Sequence, residues 1–248
     1  VEENGINRLP TESLRTSDFS KIIRQRTAAV KGFLLFSGIP EEDCANILAT
    51  ARERTYPAGK TMFFEGDPVR QVVLLTGGCV KLSQSGPQGR EVILRLVGPG
   101  ESLCAECFPK YHHCSTGQTM KESSAFVWEA HQFEAVAHKY PALERNISCV
   151  LLRTLNQLEV RFREISTEKV APRLSSQLVR LATQLGQRMN GHVEIRLSQR
   201  DLAQLTGTTL FTVSRLLGQW EAQGFVKPQR QGVLVLNMQA LEALAQSD

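Results

Sequence analysis

The chain has 248 residues, 42% of them hydrophobic and 22% charged, with 29 Lys and Arg against 25 Asp and Glu for a formal net charge of +4. That length suffices for one large or two modest domains with real cores, while so small a net charge implies no polyionic partner by itself. Six cysteines are too few for a disulfide scaffold, no apolar run approaches the ~20 residues of a membrane helix, and the polar N-terminus carries no secretory signal, so the expectation is a soluble cytoplasmic protein with no membrane partner.

Residues 1–32 read as a polar N-terminal extension. "PEEDCANILATARE" follows as a short helix, with Glu41, Glu42 and Asp43 near its start. From Phe33 to about Trp128, short apolar runs ("YPAGKTMFFEGDP", "QVVLLTGGCVKL", "SQSGPQGREVILRLVGPGE", "SAFVWEA") alternate with Gly59, Gly66, Gly77, Gly78, Gly86, Gly89, Gly98 and Gly100. This spacing predicts a compact antiparallel roll over 33–140.

Within the roll, "GESLCAECFPKYHHCSTG" holds Cys104, Cys107, His112, His113 and Cys114. Three thiolates at this spacing suit an iron–sulfur cluster, zinc or copper(I), with His112 or His113 completing the set. The same Cys-x-x-Cys pair can form a reversible disulfide, and buried thiols can pack as small hydrophobes. All three readings stay open. Cys44, Cys79 and Cys149 are isolated in apolar contexts and are expected in the core.

After Pro141 the period changes. Leu151, Leu155, Leu158, Phe162 and Ile165 follow steps of 4, 3, 4 and 3, the seam of a coiled coil over 141–168. Val150, Leu152 and Val160 form a second apolar face, so one face can pack on the roll while the other meets a second copy. The plainer alternative is a single amphipathic helix packed on its own domain.

A second, smaller domain spans 169–248, with Pro172 in the first turn of a new helix. In "RLSQRDLAQLTGTTLFTVSRLLGQWEAQGFVKPQRQGVLVLN", Ser198 and Asp201 form a near capping box. Leu202, Ala203 and Leu205 face inward, Gly207 makes the turn, and Thr208 or Thr209 caps a second helix with the buried stripe Val213, Leu216, Leu217 and Trp220. A two-stranded wing with a basic turn follows. Helix, turn and helix in this order place the second helix in a DNA major groove.

Leu210, Phe211, Ser214, Arg215 and Gln219 then point away from the core. Arg215 suits guanine O6 and N7, and Leu210 or Phe211 a thymine methyl. Gln199, Arg200, Thr208, Lys227 and Arg230 suit phosphates, and Thr209 completes the candidate surface. The alternative is a helix pair that only packs, with Phe211 buried.

Taken in order, "YPAGKTMFFEGDP", "LLTGGCVKL", "GREVILRLVGPGE" and "LSQRDLAQLTGTTLFTVSRLLGQWEAQGFV" resemble the CRP/FNR family of dimeric bacterial transcription regulators, from Phe33 to the C-terminus. The resemblance implies an α+β fold: an N-terminal cyclic-nucleotide-binding-like β-roll, a long dimerisation helix and a C-terminal winged helix-turn-helix. It also implies a homodimer on a two-fold symmetric site in double-stranded DNA, an effector in the roll that reorients the reading helices, and contact with RNA polymerase.

The departures from the family pattern narrow the effector. Nucleotide-binding members have a Gly-Glu pair, here Gly100 and Glu101, and an Arg-Ser pair across the roll, whose positions hold Cys114 and Ser115. A thiol cannot make the charge-assisted bidentate contact to a phosphate, which argues against cyclic AMP. Oxygen-sensing members hold an iron–sulfur cluster on N-terminal cysteines plus one in the roll; here no cysteine precedes Cys44, and the roll position is Phe126. "HHCSTGQTMKESS" resembles a histidine-histidine turn of those members, so His112 and His113 are ordinary there. Carbon-monoxide-sensing members bind haem just after the Gly-Glu pair; Cys104 matches their cysteine, but Glu106 stands at the histidine ligand. On the reading helix Phe211 replaces the family's glutamate, while Thr212, Ser214 and Arg215 match.

The expectation is therefore a regulator, not an enzyme, that answers redox state or a diatomic gas. It does so through Cys104, Cys107, Cys114, His112, His113 and Glu101, or through an unidentified cofactor there (iron–sulfur cluster, haem or another metal). One alternative is a regulator without a small effector, controlled by abundance or thiol modification. Another is a Cys-x-x-Cys redox enzyme, against which no βαβ context surrounds Cys104 and Cys107. A third, a nucleotide-binding module of a larger assembly, is countered by the winged helix-turn-helix.

Overall fold

A computed structural model describes residues 11–103, 112–189 and 191–246, with side chains from residue 21 onward. The chain opens with α1 (Thr11–Val30), a 3-10 turn at Leu34–Phe36, and α2 (Glu41–Ala49). Sequence reading gave no element to residues 1–32, because α1 carries no continuous apolar stripe: among its described side chains only Val30 is fully buried. Arg26 holds it to the roll instead. Its Nε donates to Glu53 Oε1 at 2.7 Å, and its Nη1 to the carbonyls of Leu48 at 3.1 Å and Ala51 at 3.3 Å. The guanidinium thereby adds a donor to carbonyls at and just past the end of α2. α2 stops at Ala49, short of the predicted Glu53, because Arg52 already pairs with Val127 in the sheet.

The roll comprises β1 (Arg52–Tyr56), β2 (Thr61–Phe63), β3 (Gln71–Ser85), β4 (Glu91–Val97), β5 (Ser102–Leu103) and β6 (Thr116–Glu129). All pairs are antiparallel in the order β1-β6-β3-β4, with β2 on β6 and β5 on β3. Gly77 and Gly78, expected between strands, lie inside β3, which bulges there against β6. Gly78 has φ of 93°, and a Cβ on it would lie 2.2 Å from Ser123 Oγ, so the close crossing of β6 requires glycine. One core lies between the roll and the helices (Leu35, Ile47, Leu48, Leu74, Trp128, Phe133, Leu143). A second lies inside the roll (Val73, Leu75, Val80, Val97, Leu103, Val127).

After α3 (Ala130–Lys139) comes the long helix α4 (Pro141–Thr167). Its first half docks on the roll through buried Leu143 and Ile147, and Asn146 Nδ2 donates to the carbonyls of Leu35 at 3.0 Å and Ser37 at 2.8 Å. From Leu151 onward the helix leaves Leu151, Leu155, Leu158, Phe162 and Ile165 exposed, Phe162 by 75%. Of the second apolar face only Val150 is half-buried; Leu152 and Val160 are exposed.

The C-terminal domain runs α5 (Val170–Leu185), β7 (Gln187–Met189), β8 (His192–Ile195), α6 (Gln199–Thr206), α7 (Leu210–Ala222), β9 (Val226–Gln229), β10 (Gly232–Val235) and α8 (Met238–Ala245). Its antiparallel sheet has the order β7-β8-β10-β9. The fold is α+β: a β-roll, a long helix and a winged helix-turn-helix.

The domains meet at a built junction. Ile93 of the roll joins the apolar core formed by Leu174, Leu178, Leu202, Leu205 and Leu217. Beside it, Arg161 of α4 donates to the carbonyls of Ile93 at 2.6 Å, Leu94 and Leu205. Burial, with Arg180 nearby, pulls the Arg161 pKa down to about 10 against the opposing pull of Glu164. Glu164 in turn takes a bidentate pair from Arg180 of α5 at 2.6 and 2.8 Å, and Gln204 of α6 donates to Glu91 of β4 at 3.0 Å. No helix of the described residues is long and apolar enough to cross a membrane.

Candidate nucleic-acid interface and sensory roll

The two helices of the C-terminal motif are fixed at their ends by their own side chains. Ser198 Oγ accepts from the Asp201 N–H at 3.1 Å, and Asp201 Oδ2 accepts from the Ser198 N–H at 3.1 Å, the full reciprocal box. Gly207 closes α6 with φ of 62°, the left-handed cap that favours glycine. Thr209, not Thr208, caps α7: its Oγ1 accepts from the Thr212 N–H at 3.2 Å. With both ends set, helical period fixes which faces meet. Val213, Leu216, Leu217 and Trp220 are buried against Leu202, Ala203 and Leu205.

The opposite face of α7 is open. Ser214, Arg215 and Gln219 are exposed, as are Leu210 by 48% and Phe211 by 77%, which removes the alternative of a buried Phe211. Arg215 Nη1 donates to Gln219 Oε1 at 3.3 Å, so the guanidinium is steered along the helix surface. Arg200 and Thr209 are exposed at its rim and Gln199 and Thr208 half-buried, while Lys227 on β9 and Arg230 in the β9–β10 turn are exposed on the wing. A convex helix carrying one guanidinium, one amide, hydroxyls and an uncovered ring, flanked by cations, can read a groove edge and hold phosphates.

The roll presents its candidates differently. Cys104 and Cys107, with Glu106, lie outside the described residues. His112 is exposed and bridges to Pro68. His113 is pinned: its N–H donates to Asp67 O and its carbonyl accepts from Gly66 N, both at 2.8 Å. Its ring stacks on Phe63 at 3.7 Å, with 9° between planes. Burial lowers its pKa, against Asp67, favouring the neutral ring. Cys114 is an exposed free thiol whose carbonyl accepts from Gln84 Nε2 at 2.6 Å, and Ser115 beside it is half-buried. Glu101 turns its carboxylate back on its own loop, with Oε2 accepting from Gly98 N at 2.8 Å.

Of the isolated thiols, Cys44 and Cys79 are buried as expected, and burial pushes Cys79 up to about 12. Cys149 is exposed, contrary to the core placement, because it lies on the outward side of α4. Phe126 is buried in the core between roll and helices. Among the described residues no group of three or more His, Cys, Asp or Glu side chains is placed to hold a metal ion, so the described donors do not by themselves make a metal or cluster site.

Sequence reading missed Arg95. From β4 it reaches the cleft between roll and α4, where Nη1 donates to Thr154 Oγ1 at 2.7 Å and Nη2 to the Ser102 carbonyl at 3.1 Å. Its Nε and the Ser102 hydroxyl are buried with no hydrogen-bond partner. They border a cavity system that includes a space of about 220 Å³ reaching Glu101, Arg161 and Arg180. The available signal was one charged residue inside the apolar run "VILRLV"; no motif marks it.

Comparisons with known proteins agree with this layout. The family model described as a cyclic nucleotide-binding domain matches residues 53–140, and that of the Crp-like helix-turn-helix domain matches residues 172–244. The chain is 28% identical over 218 residues to the cyclic AMP receptor protein of Thermus thermophilus, covering 87% of this chain and 98% of that one. It is 24% identical over 210 residues to a CRP-like cAMP-activated global transcriptional regulator of Mycobacterium tuberculosis, covering 84% and 94%. The solved structure of FixK2 from Bradyrhizobium japonicum superposes with a TM-score of 0.70 at 23% identity, covering 80% of this chain and 98% of that one.

Proposed function

Since the chain belongs to the CRP/FNR family of transcription regulators and carries the family's two domains in order, we propose that it is a homodimeric, sequence-specific DNA-binding regulator whose roll answers a non-nucleotide signal. The observation that carries the DNA-reading part is the split of α7: the Val213–Trp220 stripe is buried while Phe211, Ser214, Arg215 and Gln219 face outward. In this reading Arg215 reads a guanine. Leu210 or Phe211 meets a thymine methyl, Ser214 and Gln219 flank them, and Gln199, Arg200, Thr208, Thr209, Lys227 and Arg230 hold phosphates. Two copies joined along Leu151, Leu155, Leu158, Phe162 and Ile165 place two such helices on a two-fold symmetric site, from which the cytoplasmic regulator engages RNA polymerase. The test is titration of promoter duplexes at several salt concentrations. Affinity should fall steeply with salt, and Arg215→Ala should lose about tenfold for the preferred site; an unchanged sequence preference overturns the assignment.

For the signal, the supporting observation is Cys114, exposed at the position where nucleotide-binding relatives carry arginine. Together with Cys104 and Cys107 it makes redox state or a diatomic gas the favoured input. Anaerobic purification followed by an absorption spectrum and metal analysis separates the options: iron with broad visible absorbance marks a cluster, a sharp Soret band a haem, and a blank spectrum with no metal leaves thiol chemistry or thiols that only pack. DNA binding that is the same in all redox states and unaffected by Cys104→Ser or Cys107→Ser overturns this part. A second reading, an organic anion as effector, is favoured by one observation, the partnerless Arg95 Nε and Ser102 hydroxyl at the roll–α4 cleft.

A further inference from the structure

We infer that Phe211 determines specificity: its ring covers a thymine 5-methyl group within about two base pairs of the base read by Arg215. This rests on the DNA-binding reading of α7 and names what that helix selects.

Of the two apolar candidates on α7, position on the helix separates them. Leu210 shares its side with Val213 and Leu217, three and seven residues on, which are buried; that side belongs partly to the domain's own core, and Leu210 is 48% exposed. Phe211 shares its side with Ser214, Arg215 and Gly218, at three, four and seven residues, all exposed. It stands at the middle of the outward face and is 77% exposed.

The surroundings of the ring separate a base edge from a protein partner. Phe162, 75% exposed, sits among six other exposed apolar residues on α4, the kind of contiguous patch that a second chain covers. Phe211 instead has the polar Ser214 and Arg215 three and four residues on, and Leu210 as its one exposed apolar neighbour on α7, so a small apolar spot lies beside hydrogen-bonding groups. A thymine edge in the major groove has that same makeup, a methyl group beside acceptors of the neighbouring pairs. A carboxylate at this position would accept from the cytosine amino group; a phenyl ring cannot, and its affinity is for the methyl.

The spacing follows from helix geometry. Phe211 and Arg215 are four residues apart, about 6 Å along the axis, roughly two base-pair steps. Phe211 lies in the first turn of α7, the part of a reading helix that approaches base edges. Gly218, one turn past Arg215, has nothing within 4 Å of where a Cβ would stand, which leaves the face unobstructed below the guanidinium.

The experiment first selects sites from a random-sequence duplex pool with the full chain. Each thymine of the selected half-site is then replaced by deoxyuridine, which removes only the methyl. One thymine per half-site should matter: its replacement should weaken binding about fourfold, the factor that corresponds to one buried methyl-sized group at about 0.8 kcal/mol. In Phe211→Ala the thymine and deoxyuridine sites should bind alike, with the salt slope unchanged. Leu210→Ala and Arg215→Ala should keep the deoxyuridine penalty. Phe211 is exposed, so its variant should melt like the wild type. Insensitivity to deoxyuridine at every position, or a penalty that survives in Phe211→Ala, overturns the inference while DNA binding stands. Absence of salt-dependent binding to any duplex overturns the DNA-binding reading itself, and this inference with it.

Discussion

The winged domain and the roll use their polar side chains in opposite ways. On α7, Ser214, Arg215 and Gln219 are held at a convex surface, and their only described bond is the one from Arg215 to Gln219 along the same helix. In the roll, Glu101 bonds its own turn, His113 stacks on Phe63 between two backbone bonds, and Arg95 ties β5 to α4. The first arrangement can meet a partner by giving up at most that one exposed bond. The second means that an effector reaching Glu101, His113 or the Arg95 Nη groups would take over bonds the fold already uses, and a site whose occupation rearranges internal bonds is suited to transmit a signal. Between the two lies the Arg161 junction, where one guanidinium holds carbonyls of both domains.

The largest expected effect breaks the pairing of two copies and leaves both regions folded. Phe162→Glu puts a charge into the exposed seam of α4. It should yield a monomer by sedimentation that keeps the wild-type helix content by circular dichroism and melts at a temperature independent of protein concentration, and weaken binding to a two-half-site duplex at least 100-fold, since the second contact is no longer tethered to the first. A dimer that persists would show that the α4 seam is not the interface. Next in size, Arg161→Met removes the shared guanidinium and leaves three carbonyls without their donor. Unfolding in urea should show a loss of roughly 3 kcal/mol and a split into two transitions. A loss under about 1 kcal/mol with a single transition would mean that the shared apolar core around Ile93 joins the domains by itself.

The same contrast explains what could be read without coordinates. In α6 and α7 the informative relations are local: Ser198 with Asp201, Thr209 with Thr212, and the steps from Val213 to Trp220. Helical period alone turns them into a buried and an open face. The roll depends on strands far apart in sequence. Nothing local says that Gly78 lies under Ser123, that Arg95 reaches Thr154, or that Phe63 lies beside His113, because register in a sheet is set by distant partners. Helix α1 was invisible for a related reason. It is held by Arg26 reaching to Leu48, Ala51 and Glu53 rather than by an apolar stripe, and Cys149 was misplaced because exposure on α4 depends on which face of that helix the distant strands cover.

A smaller effect sharpens the junction from the side of pH. Glu91 of β4 is faced by Lys81 and Ser83 of β3 and by Gln204 of α6. Burial alone would raise its pKa, but hydrogen bonds from Ser83, Gln204 and Lys81, together with the Lys81 charge, prevail and lower it. A lowered carboxylate pKa stabilises the fold above the unfolded-state value near 4.5, and that contribution is lost as pH falls through the folded value. Glu91→Gln should therefore cost under about 1 kcal/mol at pH 7, and the difference from wild type should shrink as pH drops below about 4.5. A difference that stays constant with pH would assign the effect to packing.

The smallest effect bears on how far the reading face extends. Gly218 lies inside α7, where glycine costs about 0.5 to 1 kcal/mol relative to alanine. Its surroundings do not require that cost, since a Cβ there would meet nothing within 4 Å. A helix that keeps a glycine its own domain does not need has room on its outward face for something outside the domain to come close. Gly218→Ala should then raise the unfolding free energy by about 0.5 kcal/mol or more while weakening the selected duplex severalfold, with the deoxyuridine penalty of Phe211 intact. If stability rises and affinity does not fall, DNA does not approach the third turn of α7, and the reading face ends at Arg215.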